Sequence, residues 1–310
     1  MGTRDTKAAT RAVGFVDRIF DQEEMRDANA VPEPEGGEAT AAAVEHLGKR
    51  FATLPGMVRH AFGQTRDHAG NLSSDPLQGL SEIVQNSEDL GASEVRVLTR
   101  ARDLLVAHDG APVRLPDVVA LAMPWLSSKA DEAESTGRFG IGLMTLQSPS
   151  PQLEVHSGHY RVRIGDPYVS VAEPLVVPDW FADDAWTVLR IPLAPGALDA
   201  ESVDGWLAAW TSGALLFLDH VSDVTHLDTQ GGVRHRLALS REPGPGFEAE
   251  VGGGPAEVGT HLARTATGTR WLVCRTTVPR SWGGTEGGGR GGGGGQRGGT
   301  PSAQGADRAP

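Results

Sequence analysis

Apolar residues in the first fifty positions recur at helical spacing in two stretches. Ala12 to Met25 carries Val13, Phe15, Val16, Ile19 and Phe20, and a second stretch runs from Thr40 to Leu54. Between them lies VPEPEGGE, whose Pro and Gly suit a linker, so residues 1–50 are predicted to form a helical extension. Ser74-Asp75-Pro76 supplies an N-cap with proline at the first helical position. Leu77, Leu80, Ile83, Val84 and Leu90 then continue a helix that Gly91 should stop. Beyond it Val95, Val97 and Thr99 alternate, Arg102-Asp103 turns, and Leu104 to Ala107 returns, which predicts a hairpin closed by the polar loop His108 to Pro112.

Pro116 to Trp125 reads as a short apolar helix and Ser127 to Thr136 as a polar segment. Gly137 to Gly142 then opens the apolar run Ile141 to Leu146. Strands are expected at Leu153 to Val155, Tyr160 to Ile164, Tyr168 to Val171 and Thr187 to Pro192, followed by a helix from Glu201 to Trp210. Further strands are expected at Leu215 to Leu218, Val233 to Leu239 and Arg270 to Thr276. From Gly283 the chain is glycine-rich with almost nothing apolar to bury, which predicts disorder. Only Arg290, Arg297 and Arg308 are basic there, so a plain flexible tail is favoured over an Arg-Gly segment that binds RNA; out-of-frame translation of GC-rich DNA is a third reading.

Composition narrows the function classes. The 310 residues carry 28 basic and 40 acidic side chains, a formal charge of −12, which argues against non-specific binding to duplex DNA. The single cysteine, Cys274, permits neither an intrachain disulfide nor a cysteine-rich zinc site and points to a reducing compartment. No window approaches the roughly 18 apolar residues of a membrane span, and the N-terminus has no apolar signal core, so no membrane partner and a cytoplasmic location are expected.

Chemistry concentrates in three places. On the helix Pro76 to Leu90, Glu82, Asn86 and Asp89 are spaced four and three apart and share one face. That face is either a polar stripe turned to water or a set of groups awaiting a metal and phosphates. The hairpin ends in His108-Asp109-Gly110-Ala111-Pro112. Then Gly137-Arg138-Phe139-Gly140-Ile141-Gly142 precedes an apolar helix, where glycines let backbone N–H groups approach phosphate oxygens. The loop lacks the Gly-Lys-Ser/Thr of a Walker motif and lies too late for a Rossmann first turn. His156 and His159 flank a predicted Ser157-Gly158 turn and read as surface histidines, Trp206 and Trp210 as a packed helix face, and Cys274 as a core or half-buried strand thiol.

In this order and spacing the segments resemble the GHKL ATPase superfamily, which includes DNA gyrase B, MutL, the ninety-kilodalton heat-shock chaperones and sensor histidine kinases. The first family box resembles Glu82-Ile83-Val84-Gln85-Asn86-Ser87-Glu88-Asp89, the second Asp109-Gly110, and the third Thr136 to Gly142. Trp186-Thr187-Val188-Leu189 is similar to the family strand whose threonine helps bind adenine through water. His-Asp-Gly-Ala-Pro, with Ser127-Ser128-Lys129 ahead of the glycine box, looks most like the sacsin-type, chaperone-related branch.

The resemblance implies an α/β (α+β) two-layer sandwich with a mixed, mostly antiparallel sheet and helices on one face. The ATP-binding domain would span 51–213, a following α/β segment, cut short, 214–282, and the tail 283–310. The cofactors would be ATP and Mg²⁺, with Asn86 as the metal ligand and Glu82 as the base that deprotonates the attacking water. Asp89 shares their face. Asp109 would accept from the adenine amino group and Gly110 would give the base room. Gly137, Gly140 and Gly142 would line the phosphates, with Phe139 and Ile141 in the same box and Lys129 or Arg138 adding positive charge. Thr187 would contact adenine, and Ala111 to Thr136 would form a lid. The second box departs from the family: Pro112 holds the second glycine position, and if Gly110 sets the register, His108 stands where the aspartate belongs. The expected function is a slowly hydrolysing, chaperone-like ATP-binding module whose partners are ATP/ADP and protein clients or a second copy. The alternative is a non-hydrolysing nucleotide-binding scaffold. A histidine kinase is disfavoured by Glu82 and by the lack of a phosphoacceptor helix.

Overall fold

The computed structural model describes residues 10–18, 33–58, 60, 77–122, 152–165, 169–193, 198–210, 213–251 and 254–276. The strands are β1 (Glu94–Thr99), β2 (Asp103–His108), β3 (Leu153–Ser157), β4 (Tyr160–Ile164), β5 (Val169–Val171), β6 (Thr187–Pro192), β7 (Asp223–Leu227), β8 (Val233–Pro243), β9 (Phe247–Val251), β10 (Gly254–Thr265) and β11 (Arg270–Thr276). The chain divides into two compact units, one of Met1–Pro243 with His261–Val273, the other of Gly244–Thr260 with Cys274–Pro310. In the first, the strand order is β11-β10-β8-β7-β1-β2-β6-β3-β4-β5. The β1–β2, β2–β6, β3–β6, β3–β4, β4–β5 and β7–β8 pairs are antiparallel and β1–β7 is parallel, so the sheet is mixed and mostly antiparallel. In the second unit β9 pairs antiparallel with the start of β10, Phe247 opposite Val258, and Thr276 Oγ1 donates to the Glu257 carbonyl at 2.9 Å.

Alternation along the strands sorts their side chains onto two faces. Val95, Val97, Leu104, Val106, Leu189 and Ile191 point to one side, where five helices bury apolar side chains. These helices are α1 (residues 10–18), α2 (Gly37–Thr53), α3 (Gln78–Asp89), α4 (Leu115–Ala122) and α5 (Ala200–Ala209). They contribute, in turn, Phe15, Leu47, Ile83, Val119 and Leu207 to this core. Asp17 Oδ1 of α1 accepts from His46 Nε2 of α2 at 2.8 Å, which fastens α1 to α2. Gly48 lets α2 close on the sheet, since a Cβ there would stand 2.4 Å from the Val169 carbonyl oxygen.

Among the described residues the opposite face is covered by a strap, residues 175–186, and not by helices. Leu98, Leu105, Ala107 and Val188 pack against Phe181 and Ala182. Arg96 pins this strap: it donates to the carbonyls of Trp180 and Phe181 at 3.0 and 3.1 Å and lies 4.5 Å from the Trp186 ring. Beside the strap runs a charge ladder in which Arg190 joins Asp103 at 2.8 Å to Glu154 at 2.9 Å, with Arg163 on the far oxygen of Glu154. Burial pushes the Glu154 carboxyl up, but His156, Arg190 and Arg163 outweigh it and hold it down at about 2.

Most expected elements stand where the pattern put them. Gly91 ends α3 with φ 71°, its N–H on the Glu88 carbonyl and the Ala92 N–H on that of Ser87, the paired reach-back bonds of a glycine C-cap. Residues 71–76, with the predicted cap at Ser74 and Asp75, lie outside the described residues, as do the predicted helices' ends at 19–25 and 123–125, the run 141–146 and the tail 283–310.

Two expectations are corrected. Leu215 to Leu218 forms a 3-10 turn, Ala214–Phe217, not a strand, because a four-residue apolar run carries no period. Its carbonyls at Leu215 and Leu218, with that of Val221, accept from Arg241 at 2.8 to 3.0 Å. Cys274 is exposed, because Leu272 and Cys274 share the open face of β11 while Trp271 and Val273 turn to the core. Residues after 213 supply β7, which pairs with β1, and β8, which pairs with β7. Among the described residues no helix is long and apolar enough to cross a membrane.

Candidate functional site

Helix α3 has a buried stripe of Leu80, Ile83, Val84, Ser87 and Glu88. Glu82, Asn86 and Asp89 fall on the adjoining stripe and are half-buried. Neither Glu82 nor Asn86 makes a side-chain hydrogen bond or ion pair among the described residues. A neighbouring polar group of the helix is partnered: Ser81 Oγ accepts from Trp206 Nε1 at 3.1 Å, which packs α5 on α3. Trp206 and Trp210 are themselves a contact pair with ring centroids 5.1 Å apart.

The C-terminal turn of α3 meets the end of β2. Ala111 N–H donates to the Leu90 carbonyl at 2.8 Å. Gly110 is needed for this approach, since a Cβ would stand 2.9 Å from Leu90 O and 3.0 Å from Ala92 N. Its glycine therefore serves the packing of α3 on β2.

At this end of the sheet, on the helix side, three polar residues stand together. His108 is opposite Thr187 in the β2–β6 register. Thr187 Oγ1 is 2.6 Å from Ser157 Oγ, which accepts the Val113 N–H at 2.9 Å. His108 is 3% exposed and its Nδ1 accepts the Gly110 N–H at 3.2 Å. Burial holds the His108 pKa down at about 4 against the opposing charge of Asp109. The ring is neutral at physiological pH.

Asp109 is turned away from this group. Its Oδ1 accepts from the backbone N–H groups of Ser93 and Glu94 at 2.8 and 2.9 Å, and Oδ2 accepts from Ser93 Oγ. Its slight burial raises the carboxyl pKa, and these bonds outweigh that and hold it below the usual carboxylate range. The residue predicted as the adenine acceptor thus fastens the start of β1, while His108 occupies the inward position on the strand.

Glu88 was not among the predicted residues and is the most heavily bonded carboxylate here. It is 8% exposed and accepts from the backbone N–H groups of three consecutive residues, Asp219, His220 and Val221. Arg241, whose pKa burial lowers against the pull of Glu88, binds three carbonyls of the same segment. The signal was present in the sequence: Leu80, Val84 and Glu88 are four apart, so the carboxylate lies on the apolar stripe.

Lys129, Gly137, Arg138, Phe139, Gly140, Ile141 and Gly142 lie outside the described residues. Among the described residues no three His, Cys, Asp or Glu side chains gather as a metal site. His156 lies 3.6 Å from Glu154 in the charge ladder, and His159 is exposed in the hairpin turn.

No family model matches this chain, and no curated protein matches it. Among solved structures it is similar to a crystal structure described as the N-terminal domain of a DNA repair protein, with 12% sequence identity, a TM-score of 0.37, and coverage of 64% of this chain and 71% of that one.

Proposed function

We propose that this chain is a Mg²⁺-dependent nucleoside triphosphate-binding module of the GHKL type, chaperone-related and sacsin-like, that hydrolyses its nucleotide slowly. ATP is the nucleotide the resemblance implies. The observation that carries the reading is the pair Glu82 and Asn86. A carboxylate and an amide one turn apart are half-buried with no partner among the described residues, on a helix whose Ser81, Ser87 and Glu88 side chains are hydrogen-bonded, and polar groups in such a setting call for a ligand. The donor set fits a hard cation that keeps most of its water and takes phosphate oxygens, to which the protein adds one amide oxygen, that of Asn86. Glu82 accepts the proton of the attacking water as that oxygen bonds to the γ-phosphorus and the bridge to the β-phosphate breaks. The helix side of the sheet end, with His108, Thr187 and Ser157, is the wall for the base.

The test is calorimetric titration of the full chain with triphosphates, with and without Mg²⁺, beside phosphate release. Binding that needs Mg²⁺ and is lost in Asn86→Ala, with release lost but binding kept in Glu82→Ala, is expected. Failure of every purine triphosphate to bind would refute the site. A second reading, a scaffold that binds without turnover, draws on the commitment of Asp109 to Ser93 and Glu94, which alters the base end of the site. Binding with no release dependent on Glu82 selects it.

A further inference from the structure

We propose that the sheet face turned away from the helices carries a binding site for a small phosphorylated molecule, a sugar phosphate in size and charge, held by Arg264, Arg236 and Ser240. Helix α3, with Glu82 and Asn86, packs on the other side of the sheet, so the inference does not rest on the nucleotide reading.

Strand alternation builds the site. Leu237 and Leu239 of β8 enter the core beneath the helices, which puts Arg236, Ala238 and Ser240 on the opposite face. The register sets Ser240 beside Arg264 of β10 and Ala238 beside Asp223 of β7. Arg236 and Ser240 are four residues apart, about 13 Å along the strand, with the small side chain of Ala238 between them. Arg236, Ala238, Ser240 and Arg264 line a hollow of about 330 Å³, and Thr265 and Ala266 complete its lining where β10 ends. That volume stands at the lower end of sites for small organic ligands.

Charge and hydrogen-bonding capacity point to the ligand. Arg264 Nε is enclosed without a hydrogen-bond partner, and its guanidinium makes no ion pair among the described residues. A guanidinium that has given up water without gaining an acceptor carries a cost that an anion removes. Arg236 is held differently. Its Nε donates to Asp223 Oδ2 at 2.8 Å and its Nη2 donates to the same oxygen, while Thr225 Oγ1 donates to Asp223 Oδ1 at 2.7 Å. Asp223 thus neutralises Arg236 and fixes its fork, leaving Nη1 to donate. The uncompensated charge of the hollow is that of Arg264, in a chain whose net charge is −12. Ser240 Oγ donates to the Arg264 carbonyl across 3.3 Å, a long bond that it can give up for a charged acceptor. Donors on three side chains suit the three free oxygens of a phosphate monoester, which carries about −1.5 to −2 charges at pH 7. A planar carboxylate would engage one guanidinium fork and leave the other donors unpaired.

The deciding experiment is calorimetric titration of the full chain without Mg²⁺, which keeps the proposed nucleotide site out of the measurement. The probes are ribose 5-phosphate, ribose, inorganic phosphate and a short phosphoserine peptide. Ribose 5-phosphate is expected to bind saturably and ribose not at all. Arg264→Gln should weaken binding at least about tenfold, the effect of losing one charge-assisted hydrogen bond, and Arg264→Lys, which keeps the charge but not the fork, by less. Ala238→Leu, whose side chain fills the hollow, should abolish binding. Unaltered binding by Arg264→Gln overturns the proposal. So does inorganic phosphate or the phosphopeptide binding as tightly as ribose 5-phosphate, since the hollow would then not be shaped for a sugar phosphate. Absence of saturable binding of ribose 5-phosphate to the wild type overturns it as well, and that titration decides the matter even if a variant does not fold.

Discussion

A neutral histidine sealed beneath the sheet end should make the protein sensitive to mild acid, and the size of the effect follows from the structure. His108 holds its pKa at about 4, against an ordinary value of 6.5. A folded-state pKa below that of the unfolded chain means that protons favour the unfolded state. Stability is therefore full above 6.5, falls as the pH drops through the interval, and stops falling near the folded value. At about pH 5 the unfolded ring is almost wholly protonated and the folded ring almost wholly neutral, so moving there from neutrality costs about 2 kcal/mol from this residue. Other groups titrate in the same interval, His226 among them, whose pKa burial also lowers. They cancel when wild type is compared with His108→Asn, which keeps an oxygen able to accept from Gly110. The assay is urea unfolding at both pH values, followed by the fluorescence of the tryptophans, of which the chain has seven. Wild type should lose about 2 kcal/mol more than the variant between the two pH values. Parallel losses would show that His108 protonates freely in the folded state and would refute the burial argument.

Two further predictions probe the supports of the site. Gly110→Ala should destabilise the fold by about 1–3 kcal/mol in the same unfolding assay, because the new methyl meets backbone at Leu90 and Ala92 and no flexible side chain can yield. Glu88→Ala should cost about 3 kcal/mol and accelerate hydrogen exchange at the amides of Asp219, His220 and Val221, the three donors it leaves unpaired; unchanged exchange there would disprove the tie.

That tie gives α3 a mechanical role. Two residues beyond Asn86, the helix grips the segment that leads into β7, and Arg241 of β8 grips the same segment through its carbonyls. The helix proposed to hold the nucleotide is thereby joined to the strand that lies parallel to β1 at the centre of the sheet.

Local chemistry made much of this legible from the sequence. The period of Leu80, Ile83 and Val84 and the stop at Gly91 define α3 without reference to anything distant. The alternation of Val95 and Val97 and of Leu104 and Val106 defines the hairpin. The same spacing put Glu82 and Asn86 side by side on one face. β7 was not legible, because Asp223, Thr225 and His226 interrupt its apolar pattern and its partner β1 is more than a hundred residues away. β10 was not legible, because Gly254, Pro255 and Gly259 break its pattern.

What the sequence determined by itself, then, is whatever depends on neighbours in the chain: the helical and strand periods, the glycine stop, the shared face of Glu82 and Asn86, and the acidic balance. What only the tertiary structure decided is the partner of each polar group. Two adjacent residues, His108 and Asp109, could each have faced inward at the end of β2. Strand alternation and the nearness of Ser93 turned the aspartate to the backbone of β1 and left the histidine inward, where burial strips its charge. Glu88 likewise became an anchor and not a ligand because residues 219–221 come to it from across the fold. Hydrogen-bond partners and desolvation are set by distances in space, and a sequence carries those only where chain neighbours are also spatial neighbours.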